Sequence, residues 1–372
     1  MYYENRKDKN KDKITLILLL TLIVILLCIV IIKLDYSENN SIPISTDYEI
    51  NKLSTNAESK VEKEAVEIIE NAVKSVVGIS KLEQNGNSIF LSDSEQKLGL
   101  GSGVILSENG YILTNQHVAG NKYGNCFVTL DNGTTHNGTV IWADSNLDLA
   151  IVKITANQLN YINLADSDKI SLAEEVYAIG NPIGIEFQRT VTKGIISGID
   201  RTIKLGDTES YMEDLIQTDA TINEGNSGGA LINSLGELIG INTVKINEAE
   251  GIGFAVPINI IKPILEKLIS SGKFEEAYLG IYGYDKEVIP YLNSNLDITS
   301  GIYIATILPD GPLFNKDIII SDIICKIDDV EVNKMNDLRK YIYTKAPREK
   351  VKLTIRRGNQ EFVKEIELGY KN

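Results

Sequence analysis

The stretch TINEGNSGGALI, Thr221 to Ile232, sets a single serine, Ser227, among Gly225, Gly228 and Gly229, just ahead of an apolar run. Two readings compete. One is a plain turn, where glycine is the least strained residue. The other is a nucleophile whose neighbouring backbone N–H groups are free to hold a developing negative charge. A serine hydroxyl is a weak nucleophile unless a base takes its proton, so the rest of the chain has to decide.

Histidine is the commonest such base, because it titrates near working pH. The sequence holds two, His117 and His136. His117 lies in GYILTNQHVAG, at the end of an apolar strand where the chain turns toward a cleft. His136 lies in the polar hairpin DNGTTHNGTV and is expected to be solvated. The imidazole in turn needs a carboxylate to fix its tautomer. Asp148 heads the apolar run DLAIVKI, where an acid is costly unless partnered. Asp144, in ADSN, and Asp131, in DNG, have the commoner work of turn residues. The expected catalytic set is therefore His117, Asp148 and Ser227. That chain order is the one found in double β-barrel proteases. The N–H groups of Gly225 and Ser227, with that of Asn226, form the expected oxyanion hole, an effect of about 3–4 kcal/mol per donor.

Composition removes other classes. With 37 Lys and Arg against 51 Asp and Glu, the net charge of −14 argues against a nucleic-acid partner. Cys28, Cys126 and Cys325 form no CxxC pair, and no Cys/His cluster exists. A disulfide framework, a metal site and a cofactor are therefore not expected.

Residues Ile14 to Ile32 run without a charge, roughly 28 Å of helix, close to the thickness of a bilayer core. Five basic residues (Arg6, Lys7, Lys9, Lys11, Lys13) precede them, which places the N-terminus in the cytoplasm and the remainder outside. A cleaved signal peptide and a buried soluble helix are the rival readings, and KLDYSENNS offers no small-x-small cleavage site. The expected organisation is a tail (1–13), a transmembrane anchor (14–33), a polar linker (34–60), a protease domain (61–272) and a smaller α+β unit (274–372). Between about Val76 and Val256, short strands alternate with Gly/Asn/Asp turns and no helices intervene. That pattern predicts a mostly β protein made of antiparallel barrels. INIIKPILEKLISSG then reads as a helix stopped at Gly272.

The strings GNSGG, TNQHV and DLAIVK, with SGIDR, GIGFAVP and the C-terminal unit, resemble the HtrA (DegP-like) family of trypsin-fold serine proteases. The resemblance runs from about Val61 to the C-terminus. It implies a double-barrel protease followed by a PDZ-like domain, acting without ATP on misfolded or damaged extracytoplasmic proteins, and it allows a homotrimer. It also implies that GNPIG (Gly180–Gly184) is a regulatory loop and that Gly251, Ile252, Gly253 and Phe254 line the substrate pocket. Thr221 stands where relatives that cut after Lys or Arg carry an aspartate, so cleavage after small or medium apolar residues is expected. Glu224 and Ala230 replace the family's usual prolines. Tyr278, Leu279, Gly280 and Ile281 match the loop that receives a peptide carboxylate, with the adjoining strand pairing to the ligand. Ser321 and Asp329 stand where glycines are usual. Two alternatives stay open: a peptide-binding chaperone that rarely turns over, and a regulatory protease dedicated to one membrane signalling protein.

Overall fold

A computed structural model describes residues 5–39, 55–82, 98–181, 189–205, 211–223, 225–243, 251–292, 296 and 298–371. Helix α1 (Asn5–Asn39) carries the charge-free stretch; its segment Thr15–Lys33 has a mean hydropathy of 3.5 and no buried share. That segment is long and apolar enough to cross a membrane. Both ends of the expected linker are helical, since α1 continues to Asn39 and α2 (Thr55–Val73) begins before Ser59. Residues 40–54 lie outside the described residues. The C-terminal turns of α2 place Ile69, Ala72 and Val73 against the main core.

The first barrel consists of β1 (Val76–Leu82), β2 (Leu98–Ile105), β3 (Tyr111–Thr114), β4 (Asn125–Thr129), β5 (Thr135–Asp144) and β6 (Leu149–Ile154). A short helix, α3 (Gln116–Ala119), follows β3. The strands close in the order β1-β2-β3-β6-β5-β4, and Val77, Ile79, Ile112, Val140 and Val152 fill the interior. β7 (Glu175–Gly180), β8 (Thr190–Lys204), β9 (Tyr211–Thr218), β10 (Ala230–Asn233), β11 (Leu238–Thr243) and β12 (Gly253–Pro257) close a second barrel around Val176, Ile196, Ile216, Leu231 and Ile239.

A third apolar layer joins the barrels, including Val104, Leu113, Ile151, Ile179, Ala230 and Ile241. β3, β10 and β11 are consequently buried at every position. One face of each fills its own barrel and the other faces this layer, which explains why apolar residues fill successive positions such as Tyr111–Leu113 and Ala230–Ile232 instead of alternating with polar ones. Each fully buried Ile or Leu contributes about 1.5–3 kcal/mol, so this layer fixes the barrels against one another.

After a 3-10 turn at Ile258–Ile260 comes α4 (Lys262–Ser271). Gly272, at φ 71°, caps it by donating its N–H to Leu268 O. The C-terminal unit contains β13 (Ala277–Tyr278), β14 (Ile281–Tyr284), α5 (Ile289–Leu292), β15 (Ile302–Ile307), β16 (Ile323–Ile327), β17 (Val330–Glu331), α6 (Met335–Thr344), β18 (Lys350–Arg357), β19 (Gln360–Glu367) and β20 (Gly369–Tyr370). Its main sheet runs β14-β15-β16-β18-β19, which leaves β14 on an edge beside α6. Ser321 holds φ 79°, a left-handed geometry that accounts for the glycine usual at that place. At Asp328-Asp329 the positive φ falls on Asp328.

α6 also closes the unit onto both barrels, reaching Glu213 of β9 in the second through Arg339 at 3.8 Å and Trp142 of β5 in the first. Tyr343 packs edge-on to Trp142 with ring centroids 6.3 Å apart, and Lys340 pairs with Asp168 at 3.1 Å.

Candidate active site

The cleft between the barrels collects the three residues singled out by the sequence. Pairing of Thr114 with Ala150 sets the end of β3 beside the start of β6. His117, one residue into α3, therefore lies next to Asp148, which turns the chain into β6 at φ 52°. Ser227 comes from the other barrel, on the loop between β9 and β10. His117 Nδ1 lies 2.8 Å from Asp148 Oδ2 and 3.0 Å from Oδ1. On the far side of the ring, Nε2 lies 2.9 Å from Ser227 Oγ.

Asp148 has a side-chain exposure of 0% and the imidazole one of 36%, so the pair is closed behind and open toward the cleft. A buried carboxylate is costly unless its oxygens are satisfied. Here Oδ1 also accepts the His117 backbone N–H at 3.1 Å, and Oδ2 accepts the Thr243 hydroxyl at 3.3 Å. With carboxylate oxygens facing Nδ1, the proton of a neutral ring belongs there, which leaves Nε2 as the acceptor toward serine. Lys81 donates to the His117 carbonyl at 2.6 Å and steadies α3 from β1. His136 takes no part: its ring lies on β5, 3.5 Å from Thr134 Oγ1.

The glycines divide their work. Gly225 (φ 99°) and Gly228 (φ 80°) hold left-handed conformations. Gly229 is required for space instead, because a Cβ there would lie 2.1 Å from Ile179 O. The loop is fastened across the cleft by Ser102 of β2. Its hydroxyl donates to Gly225 O at 2.5 Å and accepts the Asn181 N–H at 2.7 Å, and its own N–H donates to Ser227 O at 2.8 Å. Of the three expected oxyanion donors, Asn226 is turned away. Its N–H donates to Asn223 O at 3.0 Å, closing a turn, so Gly225 and Ser227 are the remaining candidates. Glu224 lies outside the described residues.

Reading the sequence missed Ser102, Thr243 and Asn115, whose side-chain oxygen lies 2.9 Å from Ser227 Oγ. Neither GSG nor NTV carries a local mark of such a role. Asn115 stood in plain view within TNQHV.

Around the expected substrate pocket, Thr221 is exposed and β12 carries Gly253 and Phe254 beside β9. Ile222 joins them: a Cβ on Gly253 would lie 2.8 Å from its Cδ1. Gly251 (φ 76°) and Ile252, 41% exposed, continue toward solvent. Asp219 is committed elsewhere, its Oδ1 accepting the Ile195 N–H at 2.7 Å. Of the GNPIG loop, residues 182–184 lie outside the described residues.

In the C-terminal unit, Tyr278, Leu279, Gly280 and Ile281 line a cavity of about 700 Å³ together with Leu338 and Ile342 of α6. Gly280 is left-handed at φ 76°, and β14 beside it lies at the edge of its sheet. Barrel residues Asp144, Tyr211 and Glu213 line the same cavity. Asp144 does serve as a turn residue, its Oδ1 accepting the Asn146 and Leu147 N–H groups. Its other oxygen faces Lys371 at 3.4 Å. Burial pushes its carboxyl up, but Lys371, Arg339 and the two amides outweigh that and hold it below the ordinary value.

Cys126 is buried, which pushes its thiol up to about 11, and burial likewise raises Cys325. Both are poor thiolates. Among the described residues, no group of three or more His, Cys, Asp or Glu side chains is arranged to hold a metal ion.

Residues 101–241 match the trypsin-like peptidase domain and residues 270–368 the PDZ domain. The serine protease Do-like HtrA of Bacillus subtilis is 37% identical over 326 residues, covering 82% of this chain and 72% of that protein. The serine endoprotease DegS of Haemophilus influenzae is 36% identical over 302 residues, covering 79% and 83% respectively. Among solved structures, the HtrA-type protease AlgW with tripeptide superposes with a TM-score of 0.61 at 32% identity, covering 83% of this chain and 97% of that one. Paired barrels, the PDZ domain behind them and these relatives together place the chain in the HtrA family, as a serine endopeptidase.

Proposed function

We propose that Ser227, His117 and Asp148 are the catalytic triad of a membrane-anchored endopeptidase that cuts unfolded polypeptides outside the cytoplasm. His117 Nε2 takes the Ser227 proton as Oγ attacks the scissile carbonyl, and Asp148 holds the ring and steadies its charged form. The N–H groups of Gly225 and Ser227 hold the oxyanion. His117 then protonates the leaving amine, and water releases the acyl-enzyme by the same steps. The observation that carries this reading is the unbroken line of hydrogen bonds from Asp148 through His117 to Ser227.

Thr221, Ile222 and the Gly251–Phe254 stretch form the pocket for the residue before the cut, and it favours small or medium apolar side chains. Asp219 supports this by being bound to the Ile195 N–H, so it offers no counter-charge to Lys or Arg. The Tyr278–Ile281 loop and the β14 edge receive C-terminal peptides. The apolar helix Thr15–Lys33 anchors the chain, with the basic flank cytoplasmic. Assembly as a homotrimer follows the family and is checked by mass measurement in detergent.

The test is labelling of the full chain with a fluorophosphonate probe, alone and with added C-terminal peptides. Labelling that disappears in Ser227→Ala supports the triad. Absence of labelling under every condition would leave the peptide-binding scaffold as the better reading.

A further inference from the structure

The Ser227 hydroxyl has one proton and two acceptors. Besides His117 Nε2, the side chain of Asn115 approaches Oγ to 2.9 Å. Which amide atom faces the serine is fixed by the other end of the side chain. Asn115 Nδ2 lies 2.9 Å from the Asp148 carbonyl oxygen, which can only accept. Oδ1 therefore points at Ser227, and across that contact the serine must donate. Asn115 is 0% exposed, so no water stands in for either partner.

Two states follow, one for each protonation of the imidazole. When the ring is neutral, with its proton on Nδ1, Nε2 and Asn115 Oδ1 compete for the hydroxyl proton, and only the first arrangement leads to attack. When Nε2 is protonated, it donates to Oγ and the serine hydroxyl donates in turn to Asn115 Oδ1, so every group in the line is satisfied. Asn115 thus favours the form in which the base is already occupied.

We propose that Asn115 is a restraining residue of the active site, an acceptor that holds the Ser227 hydroxyl in its unreactive orientation and deepens the loss of activity on acidification. The inference rests on the triad reading above. The charged groups around the imidazole are few. Asp148 faces it from the turn before β6, and Lys81 of β1 donates to the His117 backbone carbonyl. β5 carries Asp144, committed to the 146 and 147 amides, and His136, beside Thr134; β2 carries no charged residue. The Asp148 carbonyl keeps the Gln116 N–H at 3.1 Å when the asparagine is replaced, so the turn retains a donor.

The test compares inactivation rates by a fluorophosphonate from about pH 5 to about pH 9 for the parent, Asn115→Ala and the volume-conserving Asn115→Leu, with Ser227→Ala as the blank. The ratio of variant to parent rate is expected to rise as pH falls, reaching about fivefold at the acid end, the equivalent of one ordinary hydrogen bond. A ratio that stays constant across the range overturns the proposal, because a merely structural asparagine would slow the reaction equally at every pH. A second measurement needs no substitution. In the covalent adduct Oγ has no proton, so Asn115 Oδ1 is expected to withdraw beyond about 3.5 Å, and a contact kept at hydrogen-bond distance overturns the idea. Failure of the parent itself to label defeats the triad, and this inference with it.

Discussion

The cleft between the barrels and the seam between β9 and α6 both bury acids, and the two places treat them differently. In the cleft, Asp148 accepts from the His117 ring, the His117 backbone and Thr243, so both oxygens are matched. In the seam, Glu213 faces Arg339 at 3.8 Å, and Glu213 Oε1 and Asp214 Oδ2 have no hydrogen-bond partner among the described residues. Burial, reinforced by Asp285 and opposed chiefly by Arg339 or Lys334, lifts Glu213 to about 8 and Asp214 to about 7. Asp285, from the end of β14, is itself raised by burial. A carboxylate surrounded by donors stays charged and rigid. A half-satisfied group gives protons control over how well two domains fit.

The largest effect should come from the cleft. Asp148→Asn keeps the shape but favours the wrong ring tautomer, and kcat for a peptide substrate is expected to fall about 10⁴-fold. Asp144→Asn, four residues earlier, should cost catalysis less than about tenfold while lowering the melting temperature, since its charge serves Lys371 and the contact of β5 with Tyr343 of α6. Equal damage to kcat from both would erase the distinction between the two places.

Next is Gly228→Ala. A Cβ there would lie 2.2 Å from Ser102 O and 2.4 Å from Thr114 Oγ1, with φ at 80° besides. Ser102 and Thr114 are both fully buried and hydrogen-bonded, so neither can yield. A loss of about 3 kcal/mol or more is expected, read by chemical denaturation, together with loss of probe labelling. Normal labelling would mean that the cleft is softer than its hydrogen bonds imply.

The seam should respond to pH. Folded Glu213 binds its proton more tightly than the unfolded chain does, so its contribution is complete below about pH 4 and is lost as pH rises toward 8. Glu213→Gln keeps the neutral shape at every pH. The variant and parent should melt together near pH 4 and separate by several degrees near pH 8, with the variant higher. A constant gap between the two melting curves would remove protonation from the account of the seam.

The smallest change expected concerns the substrate pocket. Digestion of a peptide library should show cuts after Val, Ala or Leu, and Ile222→Ala should raise cutting after larger apolar residues about 10-fold without altering the preference for apolar residues. Dominant cutting after Lys or Arg would require an acid that the pocket does not present.

Much of this was legible beforehand. The hydrophobic alternation and the Gly/Asn/Asp turns marked the strands. His117, Asp148 and Ser227 were singled out by what a serine nucleophile needs, and the fold brings the three together. α6 occupies the stretch MNDLRKYIYT, whose apolar spacing and lack of glycine suit a helix. The apolar run near the N-terminus was equally plain, being a matter of length and composition. Ser102 was not legible. A serine between glycines in a strand has no local signature, and its role exists only because the second barrel brings Gly225 and Ser227 to it. Asn226 misled for a related reason: its position beside the nucleophile suggested a donor, but the turn to Asn223 had already taken that N–H.

The sequence by itself determined which residues are the candidates for the chemistry, because nucleophile, base and acid are each recognisable by type and by immediate surroundings. Only the tertiary structure decided which groups hold them in place, that Asn115 approaches the Ser227 hydroxyl beside His117, and that α6 brings Arg339 to Glu213. Each of those contacts joins residues from different strands or helices. A local pattern carries no record of such partners; the closure of the barrels and the packing between domains supply them.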